Sequence, residues 1–146
     1  MMPVMQTKFG RGQGNCLLAA VASILHRPLE AIPDFAVSGC GWFEDLYEWC
    51  LNERIGLLCC DPKDFEHSIF LNAYCIGIFE VRGVPDEDHA VVMKCARVEV
   101  GHPDQKDALT CWKWTADTVH NPNPQKNYEL GDLVHLLFLI PQEDMP

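Results

Sequence analysis

The string CLLAAVASILH, Cys16 to His26, is almost wholly apolar, with Leu17, Val21, Ile24 and Leu25 near helical spacing. It predicts a helix that opens at about Asn15 and is ended by Pro28. Asn15 stands where an N-cap belongs. Residues 1–14 carry too many Gly and polar side chains for a regular element and read as a lead-in, while Pro28 to Ile32 reads as a short further turn stopped by Pro33. In GWFEDLYEWCLNERI, residues 41–55, apolar positions recur at Phe43, Leu46, Tyr47, Cys50 and Leu51, so a second helix is predicted, closed by Gly56.

The texture then changes to short β-rich runs: Gly56 to Cys60, Ile69 to Arg82, Ala90 to Val100, Leu109 to Val119 and Leu133 to Ile140. Between them GVPDED, GHPDQKD and NPNPQKN supply turn chemistry. Helices first and strands afterwards, without β-α alternation, predict an α+β fold with helices packed on a mostly antiparallel sheet. The length of 146 residues suits one domain, 1–146, with a real core.

Charge narrows the partners. A formal net charge of -10 opposes binding to phosphate backbones, so no nucleic acid is expected, and an acidic surface weakly favours a basic peptide. No run reaches the roughly 20 apolar residues that span a bilayer, and MMPVMQTKFG lacks the apolar stretch of a signal peptide, so no membrane and a cytoplasmic location are expected. The eight cysteines then read as reduced thiols, mostly small core residues.

One cysteine is placed differently. Cys16 falls at the mouth of the first helix, where unpaired N–H groups and the helix dipole lower a thiol pKa and favour the nucleophilic thiolate. The glycines Gly10, Gly12 and Gly14 let the backbone approach a bound group and leave amides for an oxyanion. By position alone Cys16 also reads as the first core residue of its helix. A catalytic thiol needs a base, and among six histidines His89, in DEDHAVVMKC, follows a turn and begins an apolar strand that would hold it rigidly. The base in turn needs an amide or carboxylate to orient it. Asn121, in DTVHNPNPQ, stands at a strand exit before Pro122, with Asn123 and His120 as competitors.

Taken together, QT…GxGNCLLAAVASIL, DHAVV and VHNPNP resemble the small papain-like cysteine peptidases, in particular the compact relatives of bacteriocin-leader peptidases found in bacteria and phages. The likeness runs from about Gln6 to Pro124, and the helix segment followed by PLEAIPDF is its most specific piece. It implies a papain-like fold in which an N-terminal helix carrying Cys16 packs on the sheet. It also implies Cys16 as nucleophile, His89 as general base and acid, Asn121 as the orienting residue, and an upstream glutamine in the oxyanion hole. Gln6 lies ten positions before Cys16 and Gln13 three; Gln6 is preferred, with the Gly-rich stretch looping out.

The activity so implied is hydrolysis of an amide or isopeptide bond in a peptide or protein substrate, which could be a host protein or a protein conjugate, with no cofactor and no metal. The same site with an amine acceptor would be a transferase, and a papain-like scaffold binding a host protein through its acidic face is the non-enzymatic alternative. Nucleotide binding is disfavoured because GRGQGN matches neither G-x-G-x-x-G nor a P-loop. Zinc is disfavoured because there is no C-x-x-C pair and Cys59 and Cys60 would face opposite sides of a strand.

Overall fold

The structure, a computed structural model, describes residues 1–7, 15–35, 41–62, 73–83, 87–100, 111–123 and 130–142, the side chains of 96–100 and 111–117 excepted. Two helices, α1 (Cys16–Leu25) and α2 (Trp42–Asn52), precede five strands: β1 (Ile55–Cys60), β2 (Tyr74–Val81), β3 (Asp88–Val100), β4 (Cys111–His120) and β5 (Leu130–Pro141). The protein is therefore α+β, and its strands form one antiparallel sheet in the order β1-β5-β2-β3-β4.

The last strand lies inside the sheet and not at its edge. β5 pairs with β1 on one side and β2 on the other, so Leu136, Leu137, Phe138 and Leu139 are buried on both faces, as a continuous apolar run requires. β2, β3 and β4 follow as a meander beyond it. One face, with Ile76, Ile78, Ala90, Val92, Leu137 and Leu139, joins Ala20, Val21 and Ala22 of α1 and Leu46 and Cys50 of α2 in the main core. On the other face Cys75, Val91, Met93, Cys95, Leu136 and Phe138 cluster together. Gly77 makes room there for Met93, whose sulfur any Cβ at that position would strike.

α1 is central because its side chains are small. Ala19 to Ser23 are all fully buried, and the three alanines let the helix lie close against β3 and β2. It ends with His26 in the left-handed region (φ 55), donating its N–H to Ala22 O, just ahead of Pro28. A single 3₁₀ turn, Leu29–Ala31, follows where a short turn is expected.

Element boundaries differ from the sequence reading at several places. α2 stops at Asn52 rather than running to Ile55, because Arg54 takes φ 57 and Ile55 is already a strand residue opposite Pro141. Gly56 accordingly closes no helix; it lies in β1 opposite Ile140. β3 begins two residues early, at Asp88, which puts His89 inside the strand, and β5 extends to Leu130 and Pro141. The parts of the expected strands at 69–72 and 109–110 lie outside the described residues.

Candidate active site

The mouth of α1 meets the open end of β3. β4 pairs with β3 only as far as Val92 opposite His120, and beyond that point no strand among the described residues pairs with that edge of β3. There the backbone N–H of Ala90 donates to Cys16 Sγ at 3.5 Å. Ala90 directly follows His89, so the thiol and the imidazole belong to touching backbone segments. The tryptophan and phenylalanine at the start of α2, Trp42 and Phe43, stack edge to face and pack against the main core instead of forming a free aromatic surface.

His89 is buried, at 2% exposure, and its Nε2 lies 2.7 Å from Asn121 Oδ1. What brings Asn121 within reach is a bulge: the register steps from Val92↔His120 to Met93↔Thr118, so Val119 is an extra residue that turns the strand exit. Asn121 Oδ1 also accepts the N–H of Asn123 at 3.0 Å. An amide oxygen only accepts, so His89 Nε2 carries the proton and, in the neutral ring, Nδ1 holds the lone pair.

The competitors have other tasks. Asn123 supports Asn121 through its backbone, and His120 Nε2 donates to Val4 O at 2.8 Å, tying β4 to the first residues of the chain. Gln6 is buried, at 5% exposure, and its N–H donates to Pro122 O, next to Asn121. Its neighbour Thr7 exchanges two hydrogen bonds with Asn15, which directly precedes Cys16. Gln6 is thus flanked by the Asn121 segment on one side and the Cys16 segment on the other. Gln13 and the glycines Gly10, Gly12 and Gly14 lie outside the described residues.

Asn15 occupies the N-cap position but makes no side-chain bond to the helix, contrary to the capping role its place suggests; the amide is spent on Thr7. Sequence patterning also gave no sign of the Ala90 amide, since any residue after the histidine supplies one. Glu87 could have been noticed as the charge two positions before His89.

Burial pushes the Cys16 thiol above its ordinary value, the N–H groups of Ala90 and Leu17 pull it down, and the Glu87 carboxylate pushes it up again. The lowering expected at a helix mouth is present in those amides, but loss of solvent outweighs it. Burial likewise pushes the His89 imidazole down, against the bond to Asn121 and the charge of Glu87. Near neutral pH the resting pair is therefore a thiol and a neutral imidazole. Folding favours neutral His89, a contribution present above the ordinary imidazole value of about 6.5 and lost as pH falls through the lower value in the folded chain.

Iodoacetamide alkylation of Cys16, followed residue by residue with peptide mass spectrometry, is expected to rise only above the ordinary thiol range. In Glu87→Gln, which removes a nearby negative charge, the rise should come at lower pH. A fast plateau already present below neutral pH in the wild type would instead indicate a preformed thiolate and imidazolium, contradicting the neutral pair.

The other described cysteines are free thiols; Cys75 and Cys95 lie with sulfurs 4.0 Å apart in the second cluster, and exposed Cys59 stands 3.9 Å from His135 Nδ1. Among the described residues no group of three or more His, Cys, Asp or Glu side chains is placed to hold a metal ion, and no helix is long and apolar enough to cross a membrane. No protein family, curated protein or solved structure matches the chain.

Proposed function

We propose that the protein is a papain-like cysteine hydrolase that cleaves an amide bond in a peptide or protein substrate in the cytoplasm. One observation carries the reading: a thiol at a helix mouth accepts the N–H of Ala90, the residue that follows a buried histidine whose Nε2 is held by an asparagine side chain. These two bonds bring three distant parts of the chain, around residues 16, 89 and 121, to one place, and those residues are of the types that nucleophilic catalysis needs.

The chemistry follows from the tautomer. His89 Nδ1 takes the Cys16 proton as the sulfur bonds to the carbonyl carbon and the carbonyl π pair moves to oxygen. Collapse re-forms the C=O bond and breaks the C–N bond, with Nδ1–H protonating the leaving amine. Water, deprotonated by the same nitrogen, then attacks the thioester and the sulfur departs, recovering its proton. Asn121 keeps Nε2–H engaged throughout, which holds the ring in the working orientation and favours the imidazolium that forms. Because the resting pair is neutral, proton transfer accompanies attack instead of preceding it. The buried Gln6 is the side chain assigned to the developing oxyanion, a donor whose loss costs about 10- to 1,000-fold.

A peptidyl vinyl sulfone tests this reading. The thiol adds across the vinyl group, the Cys16 proton passing to the carbon beside the sulfone, and intact mass with peptide mapping locates the adduct. Cys16 is expected to react at least about tenfold faster than the exposed Cys59, with the difference abolished in His89→Ala. Equal rates at the two cysteines in the wild type would remove the case for an activated nucleophile.

A further inference from the structure

Ten positions separate Gln6 from Cys16, so chain connectivity alone does not bring the glutamine to the thiol. Two hydrogen bonds close that gap. The Thr7 N–H donates to Asn15 Oδ1 at 2.9 Å, and Asn15 Nδ2 donates to Thr7 Oγ1 at 3.0 Å. Thr7 is the residue after Gln6 and Asn15 the residue before Cys16. Resting on the hydrolase reading above, we propose that the Thr7–Asn15 pair is a positioning clamp that holds Gln6 in register with Cys16, so that the glutamine meets the oxygen of the tetrahedral intermediate.

Three features distinguish the pair from ordinary support of a helix end. Asn15 has the place of an N-cap and a side chain suited to capping, yet bonds none of the helix N–H groups through it. It is buried, at 7% exposure, and reaches eight residues back along the chain. The pairing also uses chemistry that few residues possess: one planar amide accepts from the Thr7 backbone and donates to the Thr7 hydroxyl.

The segment before the clamp is fixed as well. Met2 N–H donates to Ser23 O and Val4 N–H to Ser23 Oγ, and Ser23 Oγ in turn donates to Ala19 O. Val4 O accepts from His120, and Gln6 N–H donates to Pro122 O. Gln6 is thereby referenced to β4 through Pro122 and to α1 through the clamp. The clamp joins the residue next to the glutamine directly to the residue next to the sulfur.

Two probes separate positioning from mere support. A peptidyl aldehyde, ending in argininal, leucinal or glycinal, is captured as a hemithioacetal: a C–S bond forms, the thiol proton passes to the aldehyde oxygen, and that oxygen takes the oxyanion position. Iodoacetamide alkylates the sulfur without any oxyanion. Asn15→Ala and Thr7→Val are each expected to weaken aldehyde capture about 10- to 100-fold, the scale of a misplaced catalytic group. Gln6→Ala should weaken it comparably, and adding Asn15→Ala to Gln6→Ala should cost nothing further, because the clamp acts only through the glutamine. Thr7→Ser should restore capture, and iodoacetamide rates at Cys16 should match the wild type in every clamp variant.

If the clamp variants capture aldehydes as tightly as the wild type while Gln6→Ala does not, the clamp proposal is overturned and the hydrolase reading stands. If aldehyde capture and iodoacetamide rates fall together with melting temperature in both Asn15→Ala and Thr7→Val, the pair only supports the fold, which also overturns it. If the wild type captures none of the aldehydes at Cys16, the hydrolase reading falls and the clamp with it.

Discussion

Replacing Cys16 with alanine is expected to abolish amide hydrolysis, by about 10⁴-fold or more, in a protein that still folds. The size follows from the proposed role, in which the thiol forms the covalent bond to the acyl group. His89→Ala removes the proton acceptor and should cost a similar factor, and the double variant should be no slower than the worse single one, as for residues that act as a unit. Cys16 is only partly buried at the edge of the main core, so Cys16→Ala should stay within about 1 kcal/mol of the wild type in stability. The measurement is turnover of a proteome-derived peptide library, read by mass spectrometry, alongside thermal melting of each variant. Wild-type cleavage by the Cys16→Ala protein would remove the thiol from the mechanism, whatever its surroundings look like.

The second large effect is on folding. Phe138, 2% exposed, is the largest fully buried side chain among the described residues and packs on the second face of the sheet with Leu136 and the β2 and β3 residues Cys75, Val91, Met93 and Cys95. Phe138→Ala is expected to cost about 3–5 kcal/mol, from lost transfer energy and the cavity left behind. Domains of this size hold only about 5–15 kcal/mol in total, so the urea midpoint should fall by a large fraction. Tyr47→Ala, at a helix position 49% exposed, is the comparison and should change stability by less than about 0.5 kcal/mol. Equal midpoints for the two variants would mean that the second face is not packed as described. Because β5 pairs directly with β2, loosening Phe138 also reaches β2 and, through it, the strand that carries His89.

Much of this was legible in the chain. The small apolar run after Asn15 reads as a buried helix, the change to short β-rich runs reads as a sheet, and five strands stand close to where five were expected. Cys16 and His89 were legible as candidates because each sits at an element boundary, one at a helix mouth and one at a strand start. The misread end of α2 has a physical cause: the apolar pattern of Trp49, Cys50 and Ile55 suits a helix, and only pairing with β5 makes Ile55 a strand residue. Local pattern cannot weigh that competition, since the partner lies more than eighty residues away.

By itself, then, the sequence determined the classes of its elements, the apolar faces they bury, and the residues able to do thiol chemistry, because period, capping chemistry and side-chain type are local properties. Only the tertiary structure decided which residues meet. It set β5 between β1 and β2, gave the His89 bond to Asn121 while Asn123 supports it and His120 holds Val4, and turned Asn15 from its helix toward Thr7. It also reversed the expected lowering of the Cys16 pKa, because desolvation depends on everything packed around the sulfur and not on the helix that carries it.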